Sequence, residues 1–167
     1  TGLEICAALG ATQMVVHSPF TTWDHHNFGN NPARGETPSA RDRKIAAVCD
    51  VMAPVVERAR NAGVALVIEN IEDIDPVDRL DLARSLGSDT VKLSIDTGHA
   101  HYAHGSTGAP PVDYVVTHAG AELAHVHLQD ADGHADRHWA PGRGTVNWHA
   151  VFAALAALPV RPHLVLE

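Results

Sequence analysis

Val64-Ala-Leu-Val-Ile-Glu69 is an apolar run that closes on a carboxylate. The form returns further along the chain: Val91-Lys-Leu-Ser-Ile95 before Asp96, Leu123-Ala-His-Val126 before His127, and His163-Leu-Val-Leu166 before Glu167. Runs of this length between helix-like stretches read as parallel strands buried on both faces. Core packing alone gives no reason for a carboxylate or an imidazole at each of these exits. In a β/α barrel the strand exits open on one face, so residues distant in sequence meet there. Glu69, Asp96, His127 and Glu167 are therefore read as ligands of one divalent-metal site.

Outward from these strands, helix and strand alternate. Residues 1–10 carry Leu3, Ile5, Cys6 and Leu9 and read as the end of a helix, closing at Gly10. Thr12 to His17 is a further strand that ends on a histidine. Residues 18–37, rich in Pro, Asn, Gly and Thr, read as a long loop of the kind that is usually functional or mobile. Ser39 caps a helix that runs to about Ala62, with Pro54 as a kink and Gly63 as its end. Asp75-Pro76 opens the next helix, which ends at Gly87. A histidine-bearing turn follows Asp96, Pro110-Pro111 acts as a breaker, and Val112 to Ala121 and Trp148 to Leu158 are helices.

This alternation predicts a parallel sheet with right-handed crossovers. The expected fold is α/β, a partial (β/α)8 barrel with about five β/α units, forming one domain over residues 1–167. A complete barrel takes roughly 250 residues. The 167 residues here therefore read as a barrel truncated at both ends, without the first two β/α units and the last. An open doubly wound sheet is the weaker alternative, because it gathers its ligands at one switch point.

Net charge is −8 with histidine neutral. That balance counts against nucleic acid as a partner, although a bound cation can reverse the local field. The sequence carries neither a membrane-length apolar stretch nor a secretory signal pattern, and a cytoplasmic location is expected. Cys6 and Cys49 are far apart and lack a C-x-x-C partner, so they read as small buried thiols in a reducing compartment. Histidine occurs 13 times, and its clustering is informative: His99, His101 and His104, then His125, His127, His134 and His138.

The chemistry follows from the side chains. A glutamate closing a buried strand is costly unless paired or bound to a cation. In Ile95-Asp-Thr-Gly-His99, a tight turn at Gly98 would bring Asp96 and His99 to one pocket. His125 and His127 share a face of their strand, with His125 one layer deeper as a packed or supporting group. Asp130 suits ligand orientation or substrate contact. Asp136 and His138 alternate in a loop that also holds Gly142 and Gly144, and reach one centre together. Glu69 and Glu167, from distant strands, form a pair in which one carboxylate removes a proton beside a carbonyl and the other returns it. A metal would polarise that carbonyl and steady the enediolate.

The set of His17, Val67-Ile-Glu-Asn70, Ile95-Asp-Thr-Gly-His99, His125-Val-His-Leu-Gln-Asp130, Asp136-Arg-His138 with Gly142-Arg-Gly144, Trp148 and Leu164-Val-Leu-Glu167 resembles the sugar phosphate isomerase/epimerase family. These are xylose isomerase-like TIM barrels, a group that includes endonuclease IV. The resemblance covers nearly the whole chain and is specific as a set.

It implies a divalent metal (Mn²⁺, Mg²⁺, Co²⁺ or Zn²⁺) held by Glu69, Asp96, His127 and Glu167, with Glu69 and Glu167 as acid and base. It implies that His99 contacts substrate or a second metal. It matches His17, Asp136 and His138 to positions that endonuclease IV uses for extra zinc ions. The implied activity is isomerisation or epimerisation of a sugar or sugar phosphate, a small-molecule substrate, with a homo-oligomer as a possible assembly. Trp23, His25, His26 and Phe28 in the 18–37 loop suit a cover over a sugar ring. The arginine that ketose 3-epimerases of the family place after the metal histidine has no counterpart, since Arg137 comes later. The alternatives are a zinc phosphodiesterase on abasic DNA, a polyol dehydratase on the same scaffold, and a fragment that by itself turns over nothing.

Overall fold

Each apolar run quoted above becomes a strand of one sheet. The computed structural model describes residues 2–25 and 39–167. The strands are β1 (Gln13–His17), β2 (Ala65–Glu69), β3 (Val91–Asp96), β4 (Leu123–Leu128) and β5 (His163–Leu166). They are all parallel and lie side by side in sequence order. The sheet curls into a half-barrel, a partial TIM barrel of the xylose isomerase-like type. Buried Leu66, Val67, Ile68, Val91, Leu93, Ile95 and Val126 account for the unbroken apolar runs, because the central strands are covered on both faces. β5 differs: Leu164, Val165 and Leu166 are exposed.

The helices are α1 (Gly2–Leu9), α2 (Ala40–Ala62), α3 (Pro76–Leu86), α4 (Thr97–Thr107), α5 (Val112–Ala119) and α6 (Trp148–Ala157). Their ends follow local chemistry. The Ser39 hydroxyl accepts from the Asp42 N–H while the Asp42 carboxylate accepts from the Ser39 N–H, a reciprocal cap for α2. That helix continues through Pro54 and stops at Gly63, whose φ of 67° is left-handed. Asp75 caps α3 ahead of Pro76, and Asn147 caps α6.

Some expectations change. The turn expected after Asp96 is the eleven-residue helix α4. Its glycines and histidines hide it in a propensity reading, and it starts because the Asp96 carboxylate accepts the His99 N–H at 2.7 Å. The helix expected over 112–121 ends at Ala119, and Gly120–Glu122 tightens into a 3-10 turn. Cys6 and Cys49 are free and half-buried rather than buried, packed against the core.

One tie between layers was not legible as a motif. Arg79 of α3 is 1% exposed and ion-paired with Asp73. Its Nη1 also donates to the carbonyl oxygens of Ile68 (3.2 Å) and Ser94 (2.7 Å). A buried guanidinium thus clamps β2 to β3 one and two residues before Glu69 and Asp96. Register does the rest: His17 lies opposite Glu69, Glu69 opposite Ser94, and Asp96 opposite His127.

Candidate metal centre

The strand exits deliver the side chains to one mouth. Glu69, 2% exposed, ends β2, and Asp96, 0% exposed, ends β3. His127 comes from β4, and Glu167 follows β5. His127 Nδ1 stands 2.7 Å from Glu69 Oε2 and 3.1 Å from Glu167 Oε2. Asp96, His127 and Glu167 offer donor atoms that all lie within 4.8 Å of one another.

Neighbours fix each donor. Asn70 Oδ1 accepts the Asp96 N–H at 2.9 Å while its Nδ2 donates to the Asp96 carbonyl at 3.0 Å, so the exit of β3 is clamped from both sides. Ser94 Oγ donates to Glu69 Oε2 at 3.0 Å. Having spent its hydrogen there, Ser94 accepts from His125 Nδ1 at 2.9 Å. Burial, with His127 and His163 nearby, pushes His125 down to about 4. The deeper imidazole is therefore a neutral donor supporting Glu69 through a hydroxyl.

Electrostatics mark the centre as one that a cation would suit. Burial drives the Asp96 carboxyl up to about 7, with Glu167 and Glu69 adding to the rise and His99 opposing it. Three carboxylates share this mouth, and like charges there disfavour one another. The His127 Nδ1 atom is buried and meets hydrogen-bond geometry with no partner, despite the two carboxylate oxygens beside it. A divalent cation among Asp96, His127 and Glu167, with Glu69 Oε2 beside the same His127 nitrogen, would satisfy that nitrogen and neutralise the carboxylates, so the residues fit the metal that the resemblance implies.

A second cluster lies beside the first. His99, Asp136 and His138 also bring donor atoms within 4.8 Å of one another. His99 Nδ1 lies 3.0 Å from the Asn70 carbonyl oxygen, which can only accept, so Nδ1 carries the hydrogen. His99 Nε2 then faces Asp136 Oδ2 at 3.3 Å, and His138 Nε2 reaches the same oxygen at 3.1 Å. Burial would lower His99, but Asp96 and Asp136 outweigh it and raise its pKa. Burial would raise Asp136, but the Gln129 amide, His99 and His138 hold it below the usual range. Either an imidazolium or a bound cation answers this arrangement.

The loop carrying Asp136 and His138 hangs on Asp130. That carboxylate accepts from the N–H groups of Ala131, Gly142 and Val146 and from the Trp148 indole. Asp130 is thus committed to folding the loop and is not placed to touch substrate. Gly144 is required there, since a Cβ would come 2.3 Å from the Ala131 carbonyl oxygen. Arg137 is paired with Asp132 at 3.0 Å and lies over the Trp139 ring.

His17 stands at the rim, 3.9 Å from Glu69 Oε1, with its side chain 61% exposed. His101 bonds Thr145, and His104 donates to the Ala109 carbonyl, so neither joins a cluster. Trp23 is exposed. His26 and Phe28 lie outside the described residues. The supporting residues Asn70 and Gln129 fall within the motifs quoted above without a role of their own, and Ser94 lies within an apolar run. Their signal is polarity where burial is expected: an amide or hydroxyl inside or just beyond a buried strand has to be hydrogen-bonded.

Known proteins share this architecture. A D-tagatose 3-epimerase-like protein superposes with a TM-score of 0.71 at 20% identity, over 99% of this chain and 58% of its own. A protein from Thermus thermophilus, in crystals soaked with ZnCl₂, gives 0.66 at 25% identity, over 98% and 58%. The 3-keto-D-glucoside 4-epimerase YcjR from E. coli, in its apo form, gives 0.69 at 21% identity, over 99% and 59%. The chain therefore spans less than three-fifths of the length of each of these structures. No curated protein matches it in sequence. With the family described as xylose isomerase-like TIM barrel matching residues 1–167, and the half-barrel and its strand-exit carboxylates in view, the chain belongs to that family.

Proposed function

We propose that this chain carries the catalytic face of a divalent-metal-dependent isomerase or epimerase acting on a sugar or sugar phosphate. The observation that carries the reading is the approach of Glu69 and Glu167, from different strands, to the same His127 nitrogen at 2.7 and 3.1 Å. Glu69, Asp96, His127 and Glu167 would hold the ion. When bound, it would supply Lewis acidity to a substrate carbonyl and adjacent hydroxyl.

The chain's own residues do the rest. One of Glu69 and Glu167 removes the proton from the carbon beside the carbonyl, and the other delivers a proton to the product. Ser94 and His125 hold Glu69 in place for that transfer. His99, Asp136 and His138 either bind substrate hydroxyls or hold a second ion. The epimerase names of two of the structural relatives, and the zinc soak of the third, agree with this reading. A small-molecule substrate and a cytoplasmic setting go with it, and no helix among the described residues is long and apolar enough to cross a membrane.

The test is solvent exchange. The full-length protein, loaded with Mn²⁺ and offered a panel of ketoses, aldoses and their phosphates in heavy water, should place deuterium at the carbon beside the carbonyl. Glu69→Gln and Glu167→Gln should each cut exchange by about 100-fold or more, on the order of a general acid or base contribution, while the fold is kept. Exchange at wild-type rate in both variants would refute the assignment.

The His99, Asp136 and His138 cluster, with His17 nearby, favours a second reading, a zinc phosphodiesterase of the endonuclease IV kind. Three zinc ions per chain together with cleavage of abasic DNA would select it. Full sugar exchange without DNA cleavage, at one ion per chain or two, would select the isomerase. A polyol dehydratase would begin with the same proton abstraction and would show itself by loss of water.

A further inference from the structure

Gln129 follows β4 directly, two residues past His127, and its side chain is completely buried between the two donor clusters. Its Nε2 donates to Asp136 Oδ1 at 3.0 Å and to Asp96 Oδ2 at 3.3 Å. Its Oε1 accepts the His138 N–H at 2.9 Å. The orientation of the amide is fixed by its partners. Turned over, the carbonyl oxygen would face two carboxylates, and the NH₂ group would face an N–H. Both amide hydrogens and the oxygen are thus committed, one hydrogen to each cluster.

Two further features converge on this amide. His138 has φ of 49°, in the left-handed region that few non-glycine residues occupy. The N–H of that same residue is the one bonded to Gln129. In α4, a Cβ on Gly98 would stand 2.2 Å from Gln129 Oε1, so the helix leaves room for the amide by having no side chain there. The Gln129 backbone is pinned as well, its N–H donating to Thr97 Oγ1 at 3.0 Å while that hydroxyl donates to the Gln129 carbonyl at 2.7 Å.

We infer that Gln129 is a positioning residue that ties the Asp96 centre to the Asp136 centre, so that the carboxylates of both are aimed by one amide and the two clusters take up cations as a coupled pair. This rests on the metal reading of the site given above. Removing the donors leaves the Asp96 carboxylate held by the His99 N–H and the Asp136 carboxylate by the His99 and His138 rings, so both are less firmly aimed, and metal affinity should fall at both centres by about 10–100-fold, as loss of an outer hydrogen-bond partner does.

The experiment is a Co²⁺ titration of the full-length protein, followed by visible absorption and calorimetry, with unfolding in chelator as the check on the fold. Gln129→Met keeps the length and removes the donors. Gly98→Ala keeps the amide but displaces it, and the substitution suits a helix. Each should weaken Co²⁺ binding about 10–100-fold and alter the Co²⁺ spectrum. The double variant should bind Co²⁺ no better than Gln129→Met alone, because the donors are absent from both.

Wild-type affinity and spectrum in a folded Gln129→Met chain would overturn the role of Gln129. A Gln129→Met chain that no longer folds would assign the residue a structural role and also count against the proposal. If the wild-type protein takes up no Co²⁺, the metal reading itself fails, a result distinct from the others.

Discussion

Asp96 is the residue on which most of the site's electrostatics turn. Its carboxyl is raised from 3.8 to about 7 by burial, with Glu167 and Glu69 adding and His99 opposing. Between those values the folded chain keeps a proton that the unfolded chain has lost, so this group lowers stability as pH rises through the window. His125, held down to about 4, acts in the opposite sense, because the unfolded chain takes up a proton below about 6.5 that the folded chain refuses. Asp96→Asn removes the first effect and keeps an oxygen that can cap α4, at the cost of the charge that raises His99 and of the acceptor for Gln129 Nε2. In chelator, the stability of Asp96→Asn relative to wild type should rise by a few kcal/mol between about pH 3 and pH 8, as read by urea unfolding. An equal difference at both pH values would contradict the burial argument. Metal uptake should strengthen as pH rises toward 7, because the cation has to displace the Asp96 proton. At this scale the sequence was legible for ligands and opaque for their supports. Glu69, Asp96, His127 and Glu167 stand out because a charge closing an apolar run is anomalous. Gln129, Asn70 and Ser94 look like ordinary polar residues until the partners that they satisfy are seen.

At the scale of elements, what was readable was what is written locally. The Ser39 and Asp75 caps and the Gly63 stop give α2 and α3 within a residue or so of their bounds. Ser39→Ala should cost about 1 kcal/mol in denaturant unfolding, since it removes the reciprocal cap. α4 was missed because its stability is not local. It is capped by a site carboxylate and packed beneath the 131–147 loop, where a Cβ on Gly105 would come 2.1 Å from the Gly133 carbonyl oxygen. Gly105→Ala, although favourable for a helix in isolation, should therefore destabilise the protein and displace that loop. Arg79 is the other tertiary device. Arg79→Ala would strand Asp73 without its partner and free the Ile68 and Ser94 carbonyls, which should cost about 3–5 kcal/mol and lower metal affinity by loosening the exits of β2 and β3. A variant with unchanged metal affinity would show that the clamp serves stability alone.

For the whole molecule, strand order equal to sequence order makes every sheet contact a crossover contact, and the inner centre draws on residues from Glu69 to Glu167. A cation held there would bind only the folded chain, so loading at a hundredfold excess over Kd should add about 2.7 kcal/mol of stability. Addition of chelator should remove it, giving a fall in Tm that Glu69→Gln and Glu167→Gln blunt. Fold class was legible at this scale because buried parallel strands leave continuous apolar runs, while the curl and the placing of loops over strand exits come from packing that no short window of sequence records. The two clusters also differ in what carries them. Glu69, Asp96 and His127 sit on strands, whereas Asp136 and His138 hang on a loop knotted to the Asp130 carboxylate. Evolution can consequently rewrite that single excursion, exchanging Asp136 and His138 for sugar-reading or phosphate-reading groups on an unaltered strand scaffold, so long as the new loop still engages the Gln129 amide.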